Sequence, residues 1–461
     1  MEKQTYFFCG IGGNGMSALA QIMLERGMNV AGSDRAHDMG LEREKFQTLQ
    51  NIGAKLYAQD GSGIKASGAD VFVASTAVED TIPDVKAAKD AGCKIIHRAD
   101  LLAQLAHNGN LLTVGGTSGK STTTGMLAHI MTEAGTSPTV VNGASVVGQA
   151  NKGLSNAVSG KGDVTVIEVD ESDASIAKFT PQIAVLNNVS KDHKTMEELR
   201  QLFKDYLVRA EKGIVVNLDC LEVGGLLPEG KPALTFSLKN PEADFYAANI
   251  TPTAEGVSFT MNGEQEVKLK VYGWYNVANA LAAIAAATMA GVATQKAAKA
   301  LESFGGMKRR LERIGTQNGI SVIDDFAHNP HKIAASLKAL KEYPGRIFAI
   351  YQPHGFGPTK QMRKELIETF RQNLGPDDHL IMPDIYFVGG TADKSISSAD
   401  IVHELAAGGV NTTFIPNRED IYPAIFQQLK PGDRICVMGA RDGTLADFAR
   451  SLLNSIQKKS A

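Results

Sequence analysis

The run Asn110-Leu111-Leu112-Thr113-Val114-Gly115-Gly116-Thr117-Ser118-Gly119-Lys120-Ser121 constrains the fold of this chain most. An apolar strand feeds a glycine-rich turn, and a lysine and a serine open the next helix. Such a step belongs to a parallel sheet with helices on its faces, because a crossover to the next parallel strand needs a helix's length of chain. The loop departs by one position from the plain pattern G-x-x-x-x-G-K-[ST]. Val114 stands where the first glycine belongs, and glycines follow at 115 and 116. The physics is served all the same. Glycines let backbone N–H groups turn inward as an anion nest. The helix behind them points its positive end at the anion. Lys120 has the reach for the β- and γ-phosphates of a nucleotide, and the Ser121 hydroxyl suits Mg²⁺.

A magnesium ion asks for further oxygen ligands. Glu168-Val169-Asp170-Glu171-Ser172-Asp173 leaves a second apolar strand with four carboxylates in six residues. They repel one another unless a cation sits among them or the turn is solvated. Asn187-Asn188-Val189-Ser190-Lys191-Asp192-His193 follows a third apolar strand. It puts Asp192 and His193 at a carboxyl strand end, where ligands of open α/β sheets bind.

Another glycine loop, the first in chain order, opens the chain. Gly10-Ile11-Gly12-Gly13-Asn14-Gly15 has the form G-x-G-x-x-G, after a strand from Thr5 to Cys9 and before an apolar-periodic helix from Met16 to Arg26. Asp34 ends the next strand at the spacing of an acidic ribose contact. A nicotinamide dinucleotide satisfies this loop. So does a UDP-sugar, which also carries a pyrophosphate and a ribose. An NAD-dependent oxidoreductase therefore stays open on this loop alone, although it leaves Lys120, Ser121 and Glu168 without a task.

Three α/β blocks follow from the alternation of strands and helices: 1–107, 108–311 and 312–461. The second carries a more β-rich stretch from Phe245 to Val271 and an alanine-rich helix from Asn276 to Ala290. In the third, strands are expected at Ser321–Ile323, Ile347–Tyr351, His379–Met382, Thr412–Ile415 and Arg434–Met438. With 43% hydrophobic residues there is material for several cores, so disorder is excluded. A net charge of −3 without long single-sign runs leaves no footprint for nucleic acid. The four cysteines form no CxxC pair and read as reduced thiols. Neither a signal peptide nor a membrane span is apparent, so a cytoplasmic protein is expected.

These motifs together resemble the Mur ligases. The likeness runs through Gly10 to Ser17, Gly32-Ser33-Asp34, Arg98-Ala99-Asp100-Leu101-Leu102, Gly116 to Thr123, Glu168 to Asp173, Asn276-Val277-Ala278-Asn279-Ala280, Lys308-Arg309-Arg310 and Asp324-Asp325-Phe326-Ala327-His328. It is strongest with the branch that joins L-alanine, or a murein tripeptide, to UDP-N-acetylmuramate in peptidoglycan synthesis or recycling. The resemblance implies a three-domain α/β architecture: a Rossmann-like UDP-binding domain, a central P-loop ATPase-like domain and a Rossmann-like domain that brings the amine. It also implies an ADP-forming ligase that phosphorylates a carboxylate and lets an amine attack the acyl phosphate. Gly10, Gly12, Gly13, Asn14, Gly15, Met16 and Ser17 would hold the pyrophosphate of the UDP-linked substrate, with Ser33, Asp34 and Ser75 near the uridine. Gly116, Thr117, Ser118, Gly119, Lys120, Ser121 and Thr122 would cradle ATP, Asn276 and Asn279 would face its adenine, and Asp325 would meet its ribose. Ser121, Glu168 and His193 would bind Mg²⁺, with Mn²⁺ as a substitute. Lys120, Glu168, His193 and Arg310 would form the catalytic set, with Arg310 reaching toward the γ-phosphate. His328, His354 and Arg441 would serve the amine donor, an amino acid or short peptide. A monomer or homodimer is expected.

The chain departs from the alanine-adding pattern in places. Ser118, Tyr275 and Asn329 stand where histidines are usual. Gln352-Pro353-His354-Gly355-Phe356-Gly357-Pro358 has Gly355 and Pro358 where two arginines are usual, and neither can grip a carboxylate bidentately. Met438-Gly439-Ala440-Arg441-Asp442-Gly443 carries an arginine in place of a glycine. A different acceptor or amine donor is thus the alternative within the family.

Overall fold

The structure, a computed structural model, describes residues 3–75, 81–106, 109–148, 156–171, 175–191, 194–253, 255–387 and 393–458. His193 and Asp192, with Ser172 and Asp173 of the acidic run, lie outside the described residues. The chain forms two compact units. One comprises Met1–Ile250, Ser258–Leu269 and Tyr275–Gly305. The other comprises Thr251–Val257, Lys270–Trp274 and Gly306–Ala461.

The first unit opens with a five-stranded parallel sheet. Its spatial order is Lys55–Tyr57, Asn29–Ser33, Thr5–Cys9, Val71–Ala74 and Lys94–His97. Strands covered on both faces read as apolar runs, and Phe7, Phe8, Phe72 and Val73 are fully buried. The helix Asn14–Glu25 lays Met16, Leu19, Ile22 and Met23 on the sheet at helical spacing. Strand order reverses between Thr5–Cys9 and Val71–Ala74, so the crevice at their carboxyl ends falls on the first glycine loop and Ser75.

A ten-stranded sheet follows. Asn110–Gly115 lies within it between Ile183–Leu186 and Val164–Glu168, parallel to both. The helix Lys120–Glu133 packs on the alanine-rich helix Tyr275–Met289, which is buried at every position from Ala280 to Ala287. Small side chains on both, Thr123, Thr124 and Gly125 against alanines, let the two backbones approach. Beneath the phosphate loop, the fully buried Tyr206 of helix Met196–Arg209 ties two strands together. Its hydroxyl bonds to Thr113 Oγ1 at 2.7 Å and to the carbonyls of Thr113 and Val185 at 3.0 and 3.3 Å.

The second unit is a six-stranded sheet in the order Glu312–Gln317, Ile320–Asp325, Arg434–Gly439, Ile347–Gln352, His379–Met382 and Thr412–Phe414. The five strands expected in the third block are all present. The edge strand Glu312–Gln317 is an addition. It pairs antiparallel with its neighbour through a hairpin at Asn318 and Gly319, both at positive φ. Its mostly polar, half-buried side chains, with Ile314 the one large apolar residue, gave no apolar run to read. Among the described residues, no helix is long and apolar enough to cross a membrane. The four cysteines are free, with Cys9 and Cys436 buried.

Candidate active site

The phosphate loop owes its shape to two glycines. Gly116 has φ 128° and Gly119 φ 82°. A β-carbon on Gly119 would lie 2.4 Å from Asn279 Oδ1 and 2.9 Å from Asn187 Nδ2, so no larger residue fits. The loop is laced to the next strand end. Thr117 N–H donates to the Asn188 carbonyl at 3.0 Å, and Ser118 N–H to Asn188 Oδ1 at 2.9 Å. Asn188 Nδ2 returns a bond to the Ser118 carbonyl at 3.0 Å. Behind the loop, Asn187 Nδ2 donates to Thr123 Oγ1 at 2.8 Å, Thr123 Oγ1 to Asn279 Oδ1 at 3.2 Å, and Asn279 Nδ2 to Asn276 Oδ1 at 2.9 Å. Asn276 and Asn279 are therefore buried props of the loop in this structure.

Lys120, first residue of its helix, turns its ammonium onto Glu171 at 2.6 Å, with the two side chains 13% and 5% exposed. Glu168 closes the strand Val164–Glu168, and its Oε2 accepts the Gly143 N–H at 2.8 Å. Asn142 Nδ2 donates to the Ser121 carbonyl at 3.0 Å, while its Oδ1 is buried without a hydrogen bond. Ser121, Glu168 and Asn142 thus offer hard oxygen donors of the kind Mg²⁺ takes beside phosphates and water.

At the first loop, Gly10 adopts φ 77°, and its N–H and that of Ile11 both donate to the Ser33 carbonyl, at 2.8 and 3.0 Å. Asp34 spends both oxygens on backbone. Oδ2 accepts the Gly12 N–H and Oδ1 the Ala36 N–H, each at 2.8 Å. That carboxylate shapes the loop and caps the next helix. The buried Ser33 hydroxyl donates to Asp84, whose carboxyl burial pushes above the usual range. A β-carbon on Gly12 would meet the Phe46 ring at 2.7 Å, and one on Gly15 would meet the Arg98 guanidinium at 2.9 Å. Arg98 opens the helix Arg98–Ala106 after the strand Lys94–His97, so a cation stands over the loop. The sequence offered one signal for it, an arginine directly after a strand.

The second unit gathers the remaining candidates at the carboxyl ends of its strands. Arg310 sits between two residues in left-handed conformation, Arg309 at φ 57° and Leu311 at φ 46°. Buried acids hold that turn. Arg309 pairs with Asp324 at 3.3 Å, and Asp325 accepts the Leu311 N–H at 3.2 Å and the Ser336 hydroxyl. Burial pushes Asp324 up to about 6, against the pull of Arg309, and raises Asp325 as well. The Arg310 guanidinium lies over the Phe326 ring at 5.4 Å. His328 and His354 meet edge to face with ring centroids 5.6 Å apart. Burial drives His328 down to about 4, with the charges of Lys332 and Arg310 adding to it. Burial and the charge of Arg441 lower His354.

Three family descriptions cover most of the chain. Residues 5–109 match the Mur ligase family catalytic domain, 114–287 the Mur ligase middle domain and 309–441 the Mur ligase glutamate ligase domain. The UDP-N-acetylmuramate–L-alanine ligase of Pelotomaculum thermopropionicum is 35% identical over 454 residues, which span 96% of this chain and 95% of that one. This chain belongs to the Mur ligase family. The corresponding ligase of Thermosynechococcus vestitus is 33% identical to this Mur ligase, over 95% of it and 93% of the relative. In architecture it resembles the crystal structure of the UDP-N-acetylmuramate-alanine ligase of Thermotoga maritima, with a TM-score of 0.81 at 25% identity and 99% of each chain covered. A murein peptide ligase of Psychrobacter arcticus shares the fold, with a TM-score of 0.65 at 24% identity, over 98% of this chain and 99% of that one. The three-domain Mur architecture and an ATP-dependent ligase are thereby established, and the oxidoreductase alternative falls away.

Among its candidate residues, the Mur ligase gathers Gly116 to Thr122, Glu168, Asn276 and Asn279 into one cluster in the first unit. Gly10 to Ser17, Ser33, Asp34 and Ser75 line the crevice of the five-stranded sheet. Arg310, Asp325, His328, His354 and Arg441 lie together in the second unit.

Proposed function

We propose that this Mur ligase joins L-alanine to UDP-N-acetylmuramate, forming an amide bond and ADP in cytoplasmic peptidoglycan synthesis. The observation that carries this is a P-loop lysine paired with Glu171, three residues beyond the strand end that Glu168 closes, in a chain whose full-length relatives bear that ligase name. The first 107 residues take the UDP moiety, residues 108–311 take ATP, and residues 312–461 bring the amine. In the reaction a carboxylate oxygen of the acceptor attacks the γ-phosphorus and ADP departs. The amine then attacks the acyl carbon, the C–N bond forms, and phosphate leaves with that carboxylate oxygen. Phosphoryl transfer is a matter of position and charge. Lys120 leaves Glu171 for the transferred phosphate. Ser121 and Glu168, with His193, would hold the magnesium ion, which supplies charge neutralisation on the phosphate oxygens.

The test is ADP release from ATP with UDP-N-acetylmuramate and a panel of amino acids and murein tripeptide. Release with both L-alanine and the acceptor present, and with neither alone, is expected. Release only with the tripeptide would move the enzyme to the recycling branch. No release with any pair would remove UDP-N-acetylmuramate as acceptor.

A further inference from the structure

Gln21, on the helix Asn14–Glu25, is fully buried and belongs to neither glycine loop. Glutamine is mostly found exposed, so a buried one calls for a reason. Its Nε2 donates to the Ala157 carbonyl at 3.1 Å and to Glu25 Oε1 at 2.9 Å. Glu25 Oε2 accepts the Ser159 N–H at 2.9 Å. Ala157–Val158 is a short strand of the ten-stranded sheet. A helix lying on the first sheet thus grips the backbone of the second with two side chains, inside one compact unit.

The grip links the two glycine loops. The helix begins at the first loop, where the Ser17 N–H donates to the Gly13 carbonyl at 2.8 Å. Gln21 and Glu25 follow Ser17 at successive i+4 steps along the same helix. On the other side, Ala157–Val158 pairs antiparallel with Thr139–Val141. That strand runs directly into Asn142, whose N–H donates to the Asn156 carbonyl and whose Nδ2 donates to the Ser121 carbonyl, both at 3.0 Å. The next residue, Gly143, donates its N–H to Glu168 at 2.8 Å. One run of hydrogen-bonded backbone therefore leads from the first loop to Ser121 and Glu168. Apolar packing joins the same elements, since Met16, Leu19 and Met23 share a core with Val141 and Ala157. Hydrophobic contact holds the helix to the strand but has no direction. The directed bonds from Gln21 and Glu25 are what fix its slide and rotation.

We propose that Gln21 and Glu25 are positioning residues that set the first loop in register with the Lys120 loop, so that the carboxylate of the UDP-linked acceptor meets the γ-phosphate of ATP. The inference rests on the ligase reading above and adds the contact that aligns one substrate with the other. Both residues act through the helix and not on the reacting atoms. A misplacement of about 1 Å can cost about a hundredfold in rate. Loss of the grip slows the chemical step, while each loop keeps its own shape and its own affinity.

The test uses full-length enzyme, with kcat counted per ATP site by equilibrium binding so that a misfolded fraction does not enter. Glu25 is exposed, so Glu25→Ala keeps the fold. Its kcat should fall about tenfold or more, with the KM values for ATP and UDP-N-acetylmuramate level. Glu25→Gln keeps a carbonyl oxygen to accept and should recover most of that loss. Gln21→Met, similar in length and volume but without a donor, should show the same split between kcat and KM. An unchanged kcat in Glu25→Ala and Gln21→Met, or a loss carried by either KM, overturns the assignment and leaves the ligase reading intact. A wild type that forms no amide from UDP-N-acetylmuramate and L-alanine overturns both.

Discussion

Glu171 is 5% exposed, and its charge is met by Lys120, the lysine proposed to move to the transferred phosphate. Breaking such a pair strands a buried charge, which costs about 3 kcal/mol, whereas removing both charges costs far less. Lys120→Met should therefore lower unfolding free energy by about that amount and abolish turnover. The double variant with Glu171→Gln should regain most of the stability and none of the activity, as denaturant titration and ADP release would reveal. Stability equal in the single and double variants would mean that the pair is not coupled. Protonation offers a second residue-scale test. His328 binds its proton near pH 4 when folded and near 6.5 when unfolded, chiefly through burial. Below about pH 6.5 the unfolded chain takes up a proton that the native protein refuses. Its contribution is thus whole above 6.5 and is lost as pH falls toward 4. Asp324 acts in the opposite sense. Its native carboxyl takes a proton already near pH 6, so it favours the fold as pH falls through 6. Replacing His328 by Asn should flatten the decline between pH 6.5 and 4 by up to about 3 kcal/mol relative to wild type. Parallel pH curves would contradict this. The placement of Lys120 and Ser121 at a helix start and of Glu168 at a strand end was legible in the sequence, because strand, glycine turn and helix follow one another along the chain. The partnership of Lys120 with Glu171 was not, since it joins side chains 51 residues apart, one opening a helix and the other on the loop after a strand.

Both glycine loops were legible at the scale of elements, because strand, turn and helix are consecutive in the chain. What presses on them was not. Phe46, on the helix Arg43–Asn51, closes the space above Gly12, and Arg98 the space above Gly15. Gly12→Ala places a methyl 2.7 Å from the Phe46 ring and 2.9 Å from Asp34 Oδ2. It should raise the KM for the UDP-linked substrate at least about tenfold by displacing the Gly12 N–H from Asp34, with the KM for ATP little changed. An equal effect on both would place the loop elsewhere in the mechanism. Under the second loop, Tyr206 bonds Asn110–Gly115 to Ile183–Leu186. Tyr206→Phe should cost about 1–2 kcal/mol in denaturant unfolding, since it leaves the buried Thr113 hydroxyl without that bond. A change under about 0.3 kcal/mol would show that the hydroxyl does not brace the sheet. A tyrosine in an amphipathic helix gives no sign in sequence of which strands it will meet.

Over the whole molecule, the α/β alternation and the motif set were enough to anticipate the family, as its members' identity over nearly the full length bears out. The first two sequence blocks share one compact unit. The other unit recruits two short segments of the β-rich stretch, 251–257 and 270–274. There Tyr343 donates to the Gly256 carbonyl at 2.8 Å and meets Tyr272 edge to face. Such long-range recruitment leaves no periodic trace. The chain carries the glycine loop of Lys120, the glycine loop of Gly10 to Gly15 and the histidine-bearing strand ends of the second unit in one polypeptide, and the proposed chemistry that unites them is carboxylate activation by phosphoryl transfer. Its most direct test is turnover of UDP-N-acetylmuramate labelled with ¹⁸O in the carboxylate, with mass analysis of the released phosphate. One ¹⁸O atom per phosphate is predicted, carried across when the amine displaces the acyl phosphate; phosphate released without the label during amide formation would contradict it.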